Sequence, residues 1–297
     1  MIISDKSPEL KRADFRSALN SGKLLRFPGA YNPMVAMLIE QTGFEGVYVS
    51  GAVMANSLGI PDIGMTTLTE VSQTASSIAR VTDLPTIMDI DTGFGETMSV
   101  ARTIKELTYL GLAGCHLEDQ VNPKRCGHLD NKELVSTDAM VQKIKAAADA
   151  KIDSNFLLIA RTDARGVEGL DAAIYRAKAY VDAGADMIFP EAMQDESEFE
   201  AFRKALDVPL LANMTEFGKS RLLTTTELEN LGFNLVIYPV TTQRLAMKAV
   251  EDGLNTIMKD GTQEALLEKM QTRKRLYEVL HYEDYNTFDS SMYNFKL

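Results

Sequence analysis

The stretch Leu110-Gly111-Leu112-Ala113-Gly114-Cys115-His116-Leu117-Glu118-Asp119-Gln120 carries the pattern that decides the fold. It begins where a helical pattern ends in a glycine, a residue that closes helices in a left-handed turn at little steric cost. A short apolar strand, Gly114–Asp119, follows at once and ends in two carboxylates. This order of helix, glycine, strand and polar strand end predicts one βα unit of a parallel sheet.

The same pattern recurs along the chain, with similar glycine joins at Gly43, Gly184 and Gly232. Short apolar runs predict eight strands at Leu24–Gly29, Gly46–Ser50, Pro85–Asp91, Gly114–Asp119, Phe156–Thr162, Met187–Glu191, Pro209–Met214 and Leu235–Pro239. Helical periodicity lies between them at Asn32–Gln41, Thr66–Val81, Thr97–Leu110, Thr137–Ala150, Leu170–Ala183, Glu196–Leu206 and Thr225–Leu231.

Eight βα units in 297 residues predict an α/β protein built as one (β/α)8 TIM-type barrel, a single catalytic domain over residues 1–297. A doubly wound open sheet is the alternative, but no GxGxxG follows the first strand to support it. Thr241–Met258 is expected to be the last barrel helix. Thr262–Tyr277 predicts one more amphipathic helix, in a helical extension of about 262–297, which covers another surface of this subunit or of a neighbour.

Composition and charge narrow the class of function. The hydrophobic fraction of 45% and the charged fraction of 25% are typical of globular proteins, and no run is apolar enough to span a membrane. Met1 to Arg12 does not resemble a signal peptide. A net charge of -11 argues against binding to nucleic acid or to anionic membranes. The only cysteines, Cys115 and Cys126, form no CxxC pair, which suits a reducing cytoplasm.

Polar residues gather where five consecutive predicted strands end. These residues are Asp89 and Asp91, Glu118 and Asp119, Arg161 and Asp163, Glu191, and Asn213. Strand ends are also where solvent begins, so one or two polar residues there would mean little. In a (β/α) barrel, however, the carboxyl ends of the strands carry the active site. Five such ends therefore favour one shared site.

Asp89 and Asp91 alternate with apolar residues, which predicts that both carboxylates face the same side of their strand. Two carboxylates on one face repel each other unless a cation lies near them, and Glu118 would add a third. Oxygen ligands of this kind suit Mg²⁺ or Mn²⁺. No zinc spacing is present: His116 is expected to be hydrogen-bonded inside the barrel and Cys115 to pack in the core.

The segment Leu117–His128 runs from this strand end into a loop that places Cys126 among Lys124, Arg125 and His128. A thiol beside three potential cations is expected to have a lowered pKa and to serve as nucleophile or proton donor. A solvated basic loop with an incidental cysteine is the alternative. With a divalent ion and arginines that grip carboxylates, the thiol indicates cleavage or formation of a C–C bond beside a carboxylate.

Lys124-Arg125-Cys126-Gly127-His128 resembles the signature of the isocitrate lyase and phosphoenolpyruvate mutase superfamily, as do Asp89–Gly95 and Ala160–Asp163. The resemblance extends from Phe27 to Arg273, and Asn213–Gly218 is similar to the branch that cleaves 2-methylisocitrate. It implies a Mg²⁺-dependent barrel that cleaves this small carboxylate into pyruvate and succinate, in the methylcitrate cycle of propionate catabolism. It also implies a homotetramer whose subunits exchange a C-terminal helix.

The resemblance further implies roles for single residues. Asp89 and Asp91 would hold the metal with Glu118 in the outer shell, and Cys126 would protonate the carbanion. Tyr48 is a candidate for the base that takes the substrate's hydroxyl proton, and Arg161 is placed with the catalytic residues. The implied substrate-binding residues are Ser50, Gly51, Ala52, Cys126, Gly127, Arg161, Glu191, Asn213, Met214, Thr215, Arg244 and Arg273.

Two alternative functions stay open on the sequence. One is a lyase or hydrolase of a related acid, such as isocitrate, dimethylmalate or oxaloacetate. The other is a barrel that binds a ligand without turnover, because a fold does not determine a function. The presence of Asp89, Asp91, Cys126 and Arg161 together argues against the second alternative. From their positions on helices, Arg244 and Arg273 are expected at the surface, whereas the resemblance makes both of them ligands of the substrate.

Overall fold

A computed structural model describes residues 4–129 and 131–292 of the chain. Within these residues the strands are β1 (Leu25–Pro28), β2 (Val47–Val49), β3 (Thr86–Asp89), β4 (Gly114–Glu118), β5 (Leu157–Thr162), β6 (Met187–Pro190), β7 (Leu211–Asn213) and β8 (Leu235–Tyr238). All eight predicted strands are therefore confirmed, and each lies within its predicted bounds.

The helices are α1 (Pro8–Leu19), α2 (Pro33–Thr42), α3 (Gly51–Ser57), α4 (Leu68–Ala79), α5 (Thr97–Tyr109), α6 (Thr137–Asp149), α7 (Leu170–Asp182), α8 (Glu196–Ala205), α9 (Thr225–Asn230), α10 (Thr241–Asp260), α11 (Arg273–Val279) and α12 (Tyr282–Met292). Short 3-10 segments add Ala164–Gly166 and Glu264–Lys269. The predicted helices up to α10 are confirmed, whereas α1, α3 and α12 were not predicted.

The strands pair in parallel throughout, in a sheet of order β2-β3-β4-β5-β6 and a sheet of order β1-β8-β7. Isolated parallel bridges, Gly29 to Tyr48 and Ile188 to Leu210, join the sheets at β1/β2 and at β6/β7. The α/β class with parallel strands is confirmed. Because parallel strands point the same way, the polar residues at their carboxyl ends lie at one edge.

Glycine closes the helices that precede β2, β4, β6 and β8. The backbone φ is +89° at Gly43, +89° at Gly111, +111° at Gly184 and +76° at Gly232. Side chains with a Cβ rarely adopt this left-handed region. The glycine joins predicted from the sequence are confirmed.

The apolar core has two parts. The larger part lies between strands and helices and includes Leu117 of β4 and Ile144 of α6. The second part gathers strand residues of both sheets, such as Phe27 and Ile159, with Phe15 of α1. Phe15 and Phe27 contact each other with ring centroids 5.2 Å apart. The unpredicted helix α1 therefore covers the amino ends of the strands; its sequence hides this role because half of its 12 residues are polar or charged.

The predicted continuous helix Thr262–Tyr277 is wrong. A 3-10 segment ends at Lys269, Met270 is extended with φ −93° and ψ 148°, and α11 begins anew after Thr272. The Thr272 side chain caps α11 by accepting from the amide of Arg275. Arg275 Nη2 in turn donates to Gln41 Oε1 of α2 over 2.8 Å, so α11 lies against its own chain. Residues 293–297 of the predicted extension lie outside the described residues.

Helix α10 carries a broad exposed apolar surface. None of its 20 residues is buried, and Leu245 is 68% exposed and Met258 87% exposed. An isolated folded chain rarely leaves so much apolar side chain in water. Among the described residues, however, no helix combines the length and the apolar character needed to cross a bilayer.

Candidate active site

A cavity of about 260 Å³ opens at the carboxyl ends of the strands. Many of the residues singled out from the sequence line it, namely Tyr48, Ser50, Ala52, Asp89, Cys126, Gly127, Arg161, Glu191, Asn213, Thr215 and Arg244. These residues come from five strand ends, the loop after β4 and two helices, which are far apart in sequence. The parallel sheet therefore brings together the polar strand ends, as predicted.

Asp89 and Asp91 reach one small space by a route that differs from the prediction. Strand β3 ends at Asp89, and Asp91 lies in a left-handed turn with φ +47°, so strand alternation does not orient it. The turn is held by the Asp91 amide, which donates to Asp89 Oδ1 over 3.0 Å. A Cβ on Gly51 would lie 2.8 Å from Asp89 Oδ2 and 3.1 Å from Asp91 Oδ1. Only glycine therefore leaves the space between the two carboxylates open.

Lys124 supplies a counter-charge that the sequence pattern did not reveal. Its ammonium lies 2.9 Å from Asp91 Oδ1 and also pairs with Asp62. Burial raises the pKa of Asp91 to about 6, although Lys124 opposes this shift. Burial also opposes ionisation of Asp89, but His116 and Lys124 favour it and hold its pKa below the ordinary value. Asp89 is therefore the more firmly ionised of the two carboxylates.

The carboxylates suit a hydrated divalent ion. Asp91 Oδ1 and both oxygens of Glu118 are buried and accept no hydrogen bond; the Lys124 contact to Asp91 is an ion pair with unfavourable hydrogen-bond geometry. Among the described residues, no three His, Cys, Asp or Glu side chains converge into an all-protein metal cage. Mg²⁺ commonly binds through one or two carboxylates and keeps several waters. The residues present therefore fit Mg²⁺ better than a metal that needs a full set of protein ligands.

Arg161 is the cationic centre of the cavity. Its guanidinium donates to both oxygens of Asp163, over 2.9 and 3.1 Å, and its Nε lies 3.3 Å from Glu118. It also lies over the Phe189 ring, 5.2 Å from the centroid. Burial alone would lower the pKa of Arg161, but Asp163, Glu118 and Glu191 outweigh it and hold the pKa well above the ordinary range. The side chain is a permanent cation ready to bind a carboxylate.

Glu191, His128 and Asn213 form a second polar group on the cavity wall. His128 Nδ1 accepts from the Lys219 amide over 3.0 Å, so its proton is on Nε2, which lies 2.7 Å from Glu191 Oε1. Asn213 Nδ2 donates to Glu191 over 3.3 Å, and its buried Oδ1 makes no hydrogen bond within the described chain. The free acceptor of Asn213 is therefore available to a ligand.

The lowered pKa predicted for Cys126 is wrong. Burial raises the pKa of its thiol above the ordinary value, and His128 and Arg161 only partly oppose this shift. The basic neighbours do not act on sulfur as the sequence suggested, because Lys124 pairs with Asp62 and Asp91 while His128 faces Glu191. A neutral thiol at pH 7 is suited to donate a proton rather than to attack as a thiolate.

Tyr48 and His116 form a buried pair beneath the cavity. The Tyr48 hydroxyl lies 2.7 Å from His116 Nε2, so the expectation that His116 is hydrogen-bonded in the interior is confirmed. Burial, with the charge of Asp89, raises the pKa of Tyr48 well above the ordinary value. Burial lowers the pKa of His116 to about 4, so its ring is neutral at pH 7. Tyr48 therefore holds its proton and can exchange it with His116. Cys115 packs in the core as predicted.

Three of the implied substrate ligands do not point into the centre of the cavity. Met214 points into the core, where its sulfur accepts from the Leu223 amide over 3.1 Å. Arg244 lies at the cavity rim with its side chain 44% exposed, and donates to the backbone oxygen of Glu216 over 2.6 Å. Arg273 is exposed at the start of α11 and is not among the described residues that line this cavity.

Sequence reasoning missed several residues of the cavity wall, namely Asn56, Asp62, Phe189, Ile237 and Gln243. Helix α3 has only seven residues, too few for a clear periodic pattern, and it carries Asn56. Asp62 follows it in an irregular segment. Phe189 and Ile237 have the pattern of ordinary apolar strand residues, which does not reveal that they line the cavity. The Lys124–Asp91 pair had no sequence signal either, because 32 residues separate its members along the chain.

The sequence matches the phosphoenolpyruvate phosphomutase family over residues 15–258. It is 61% identical over 287 residues to a probable 2-methylisocitrate lyase of Corynebacterium glutamicum, covering 96% of this chain and 94% of the relative. It is 48% identical over 277 residues to the 2-methylisocitrate lyase of Aeropyrum pernix, covering 93% of this chain and 89% of the relative.

Solved structures resemble the fold over almost the whole chain. An oxaloacetate acetylhydrolase bound to 3,3-difluorooxalacetate superposes with a TM-score of 0.92 at 34% identity, covering 98% of this chain and 100% of that one. A 2,3-dimethylmalate lyase superposes with a TM-score of 0.90 at 32% identity, covering 97% and 96%. A phosphonopyruvate hydrolase with oxalate and Mg²⁺ gives a TM-score of 0.86 at 31% identity, covering 95% and 99%.

Proposed function

The chain belongs to the phosphoenolpyruvate phosphomutase family, and we propose that within it the protein cleaves 2-methylisocitrate into pyruvate and succinate. It is a carbon–carbon lyase, as its curated relatives are. The observation that supports this substrate best is the 61% identity to a probable 2-methylisocitrate lyase over 96% of the chain. The cavity agrees with it, because a buried arginine and a neutral thiol face the same space.

Binding of the substrate is assigned to the polar wall of the cavity. Arg161 would hold a substrate carboxylate, since its charge is permanent and its position is fixed by Asp163. The free Oδ1 of Asn213 would accept from the substrate. The turn at Ser50, Gly51 and Ala52 would hold the pyruvate end, and Glu191 would orient His128 and Asn213.

Asp89 and Asp91 would hold a Mg²⁺ ion with Glu118 in the outer shell, and the ion would supply polarisation of the substrate's oxygens. Mn²⁺ is the alternative ion. The support is the donor set itself, three buried carboxylates of which two leave oxygens without hydrogen bonds. A related phosphonopyruvate hydrolase has been solved with Mg²⁺.

Two proton transfers complete the reaction. Tyr48 takes the proton of the substrate hydroxyl as it passes its own phenolic proton to His116 Nε2, 2.7 Å away. The hydroxyl oxygen becomes the ketone of the pyruvate part while the C–C bond breaks, and the electron pair stays on the carbon beside the succinate carboxylate. Arg161 stabilises the charge that develops on that carboxylate. Cys126 then gives its thiol proton to the carbon.

The eight strands are proposed to close into one (β/α)8 barrel that makes residues 1–297 a single catalytic domain. The pairing of β1 with β8 and the bridges at both junctions support closure. A separate inner apolar group, drawn from both sheets, supports it as well, because a closed sheet has an interior of its own. By its products, the reaction would belong to the methylcitrate cycle of propionate catabolism, in the cytoplasm.

A homotetramer that exchanges its C-terminal segment is proposed for the assembly. The support is the apolar surface that one chain leaves open: Leu267 is 58% exposed, Met270 46% and Leu245 of α10 68%. Exchange buries such side chains without new residues. Arg273, which lies away from its own cavity, would then reach a site through a neighbour. Light scattering tests the proposal; a monomer at micromolar concentration with full activity would refute it, whereas truncation before Thr262 should give smaller, poorly active species.

A product assay over a panel of acids tests the proposed activity. Purified protein with Mg²⁺ is given 2-methylisocitrate, isocitrate, 2,3-dimethylmalate and oxaloacetate. We expect pyruvate and succinate from 2-methylisocitrate, with kcat/KM about 10- to 200-fold above isocitrate, since one methyl group discriminates by about that much. An equal or better kcat/KM for another acid would reassign the substrate. No turnover of any acid would favour a binding protein.

A further inference from the structure

The loop that carries Cys126 is tied down at its base and near its tip. We call the described residues 121–129 and 131–133 the Cys126 loop. At the base, the Gln120 amide side chain exchanges two hydrogen bonds of 2.9 Å with the backbone of Arg125. The Val121 amide donates to the Glu133 oxygen over 2.8 Å. These bonds hold together the two ends of the loop but do not involve the Cys126 thiol.

Lys132 makes the contact that lies next to Cys126. Its side chain is only 3% exposed, and its ammonium lies 2.8 Å from Asp163 Oδ1, which is fully buried. The same ammonium donates to the backbone oxygen of Gly127, the residue next to Cys126. A buried ammonium is costly unless its charge and its donors are matched. Lys132 therefore bridges the peptide beside the thiol and a carboxylate of the interior.

Asp163 connects this bridge to the substrate site. Its two oxygens also accept from Arg161, over 2.9 and 3.1 Å. Arg161 and Lys132 thus share one carboxylate, and the backbone amide of Asp163 donates to Asp119 Oδ1 over 2.9 Å, which holds the residue in place. The arrangement sets the distance between the guanidinium and the Cys126–Gly127 peptide. Close packing adds a second constraint, since a Cβ on Gly127 would lie 2.3 Å from Arg161 Nη2.

We propose that Lys132 is a positioning residue, which holds the Cys126–Gly127 peptide at a set distance from Arg161 so that the thiol faces the reacting carbon. The inference rests on the proposed function, in which Cys126 delivers the proton. A purely structural lysine would need only to neutralise Asp163, which Arg161 already does through two hydrogen bonds. The additional bond to Gly127 is what a positioning role requires.

Lys132→Met tests the proposal, with Lys11→Met as the matched control. Lys11 is also a buried lysine, 4% exposed, and donates to the backbone oxygens of Ala79 and Thr82, far from the cavity. We expect Lys132→Met to lower kcat for 2-methylisocitrate by about 10- to 100-fold, because an error of about 1 Å in placement costs that order of rate. KM should change little, since Arg161 stays. Lys11→Met should lower only the melting temperature.

Alkylation of Cys126 by iodoacetamide provides a readout that uses no substrate. Release of the peptide should expose the half-buried thiol, so alkylation of Lys132→Met should be several-fold faster than that of the parent or of Lys11→Met. An unchanged alkylation rate would overturn the positioning role, even if kcat falls. A faster rate with no turnover by the parent of any acid would refute the proposed function and leave the placement of the loop supported.

Hydrogen exchange of the unmodified protein decides the case if Lys132→Met does not fold. The Leu129 amide donates to the Cys126 oxygen over 2.9 Å. We expect this amide to be protected nearly as well as those of β4. Exchange as fast as in an unstructured peptide would overturn the inference, because a loop held by a buried lysine does not open so freely.

Discussion

Both ends of the strands bury charged side chains, but among the described residues only the carboxyl end leaves carboxylate oxygens without a hydrogen bond. At the amino end, Arg12 of α1 is 2% exposed and donates to the backbone oxygens of Leu112 and Thr108 and to Asp153, over 2.6 to 2.9 Å. At the carboxyl end, Asp91 Oδ1 and both Glu118 oxygens accept no hydrogen bond, although Lys124 and Arg161 lie 2.9 and 3.3 Å away as ion-pair partners. Buried charge alone therefore does not mark a functional site. A buried carboxylate oxygen that accepts no hydrogen bond is the better mark, because it costs stability that a ligand can restore.

The two ends should respond differently to removal of metal. We expect chelation to abolish activity and Mg²⁺ to restore it, because the carboxylates of Asp89 and Asp91 lose the cation that they are proposed to bind. Mg²⁺ should also raise the melting temperature of the chelated protein, as any ligand of the folded state does. Asp89→Asn should lose this thermal shift, whereas the exposed Asp195→Asn should keep it. Full activity after exhaustive chelation would show that these carboxylates do not bind a metal that the reaction needs.

Cys126→Ser should separate activity from stability at the carboxyl end. A general acid contributes about 10²- to 10⁴-fold to a rate, and a serine hydroxyl is a far weaker acid than a thiol. We expect a loss of kcat in that range, with the melting temperature and substrate binding nearly unchanged. Steady-state kinetics with calorimetric binding checks this. A rate within tenfold of the parent would show that another group delivers the proton.

Arg12→Met should produce the opposite result at the amino end. The buried oxygen of Leu112 loses the Arg12 donor, while that of Thr108 keeps the Gly111 amide, so we expect a cost of about 1–3 kcal/mol in unfolding free energy. The kcat per folded molecule should stay at the parent value, because Arg12 lies away from the cavity. Denaturant unfolding and kinetics on the same sample measure both quantities. The exposed Arg221→Met is the control and should change stability by less than about 0.5 kcal/mol; a loss of kcat in Arg12→Met would break the division between the ends.

The pH dependence of Cys126 alkylation should show the smallest effect. Because burial raises the pKa of this thiol, less of it is thiolate at any given pH, and the rate should rise with a midpoint above 9.0, the ordinary value. Cys115 is fully buried with its pKa raised further, so it should not react. Mass spectrometry after timed quenching measures the profile, and Cys126→Ser should remain unlabelled. A midpoint well below 9.0 would support the lowered pKa that the sequence predicted for Cys126.

The sequence by itself determined the order of the elements and the residues at the strand ends. Apolar runs bounded by glycine specify β strands and helix ends through local sterics, which do not depend on distant residues. Asp89, Glu118, Arg161 and Glu191 follow from that order, because parallel strands end at one edge. For the same reason the sequence predicted which polar side chains gather at this edge.

Only the tertiary structure decided the electrostatics and the terminal segment. The pKa of Cys126 depends on burial and on which partners take the charges of Lys124 and His128, and both partners lie far away in sequence. The turn at Asp91 and the break at Met270 arise from contacts that no period encodes. Local patterns are set by neighbouring residues, whereas charge balance and desolvation are set by everything that the fold brings within a few ångströms.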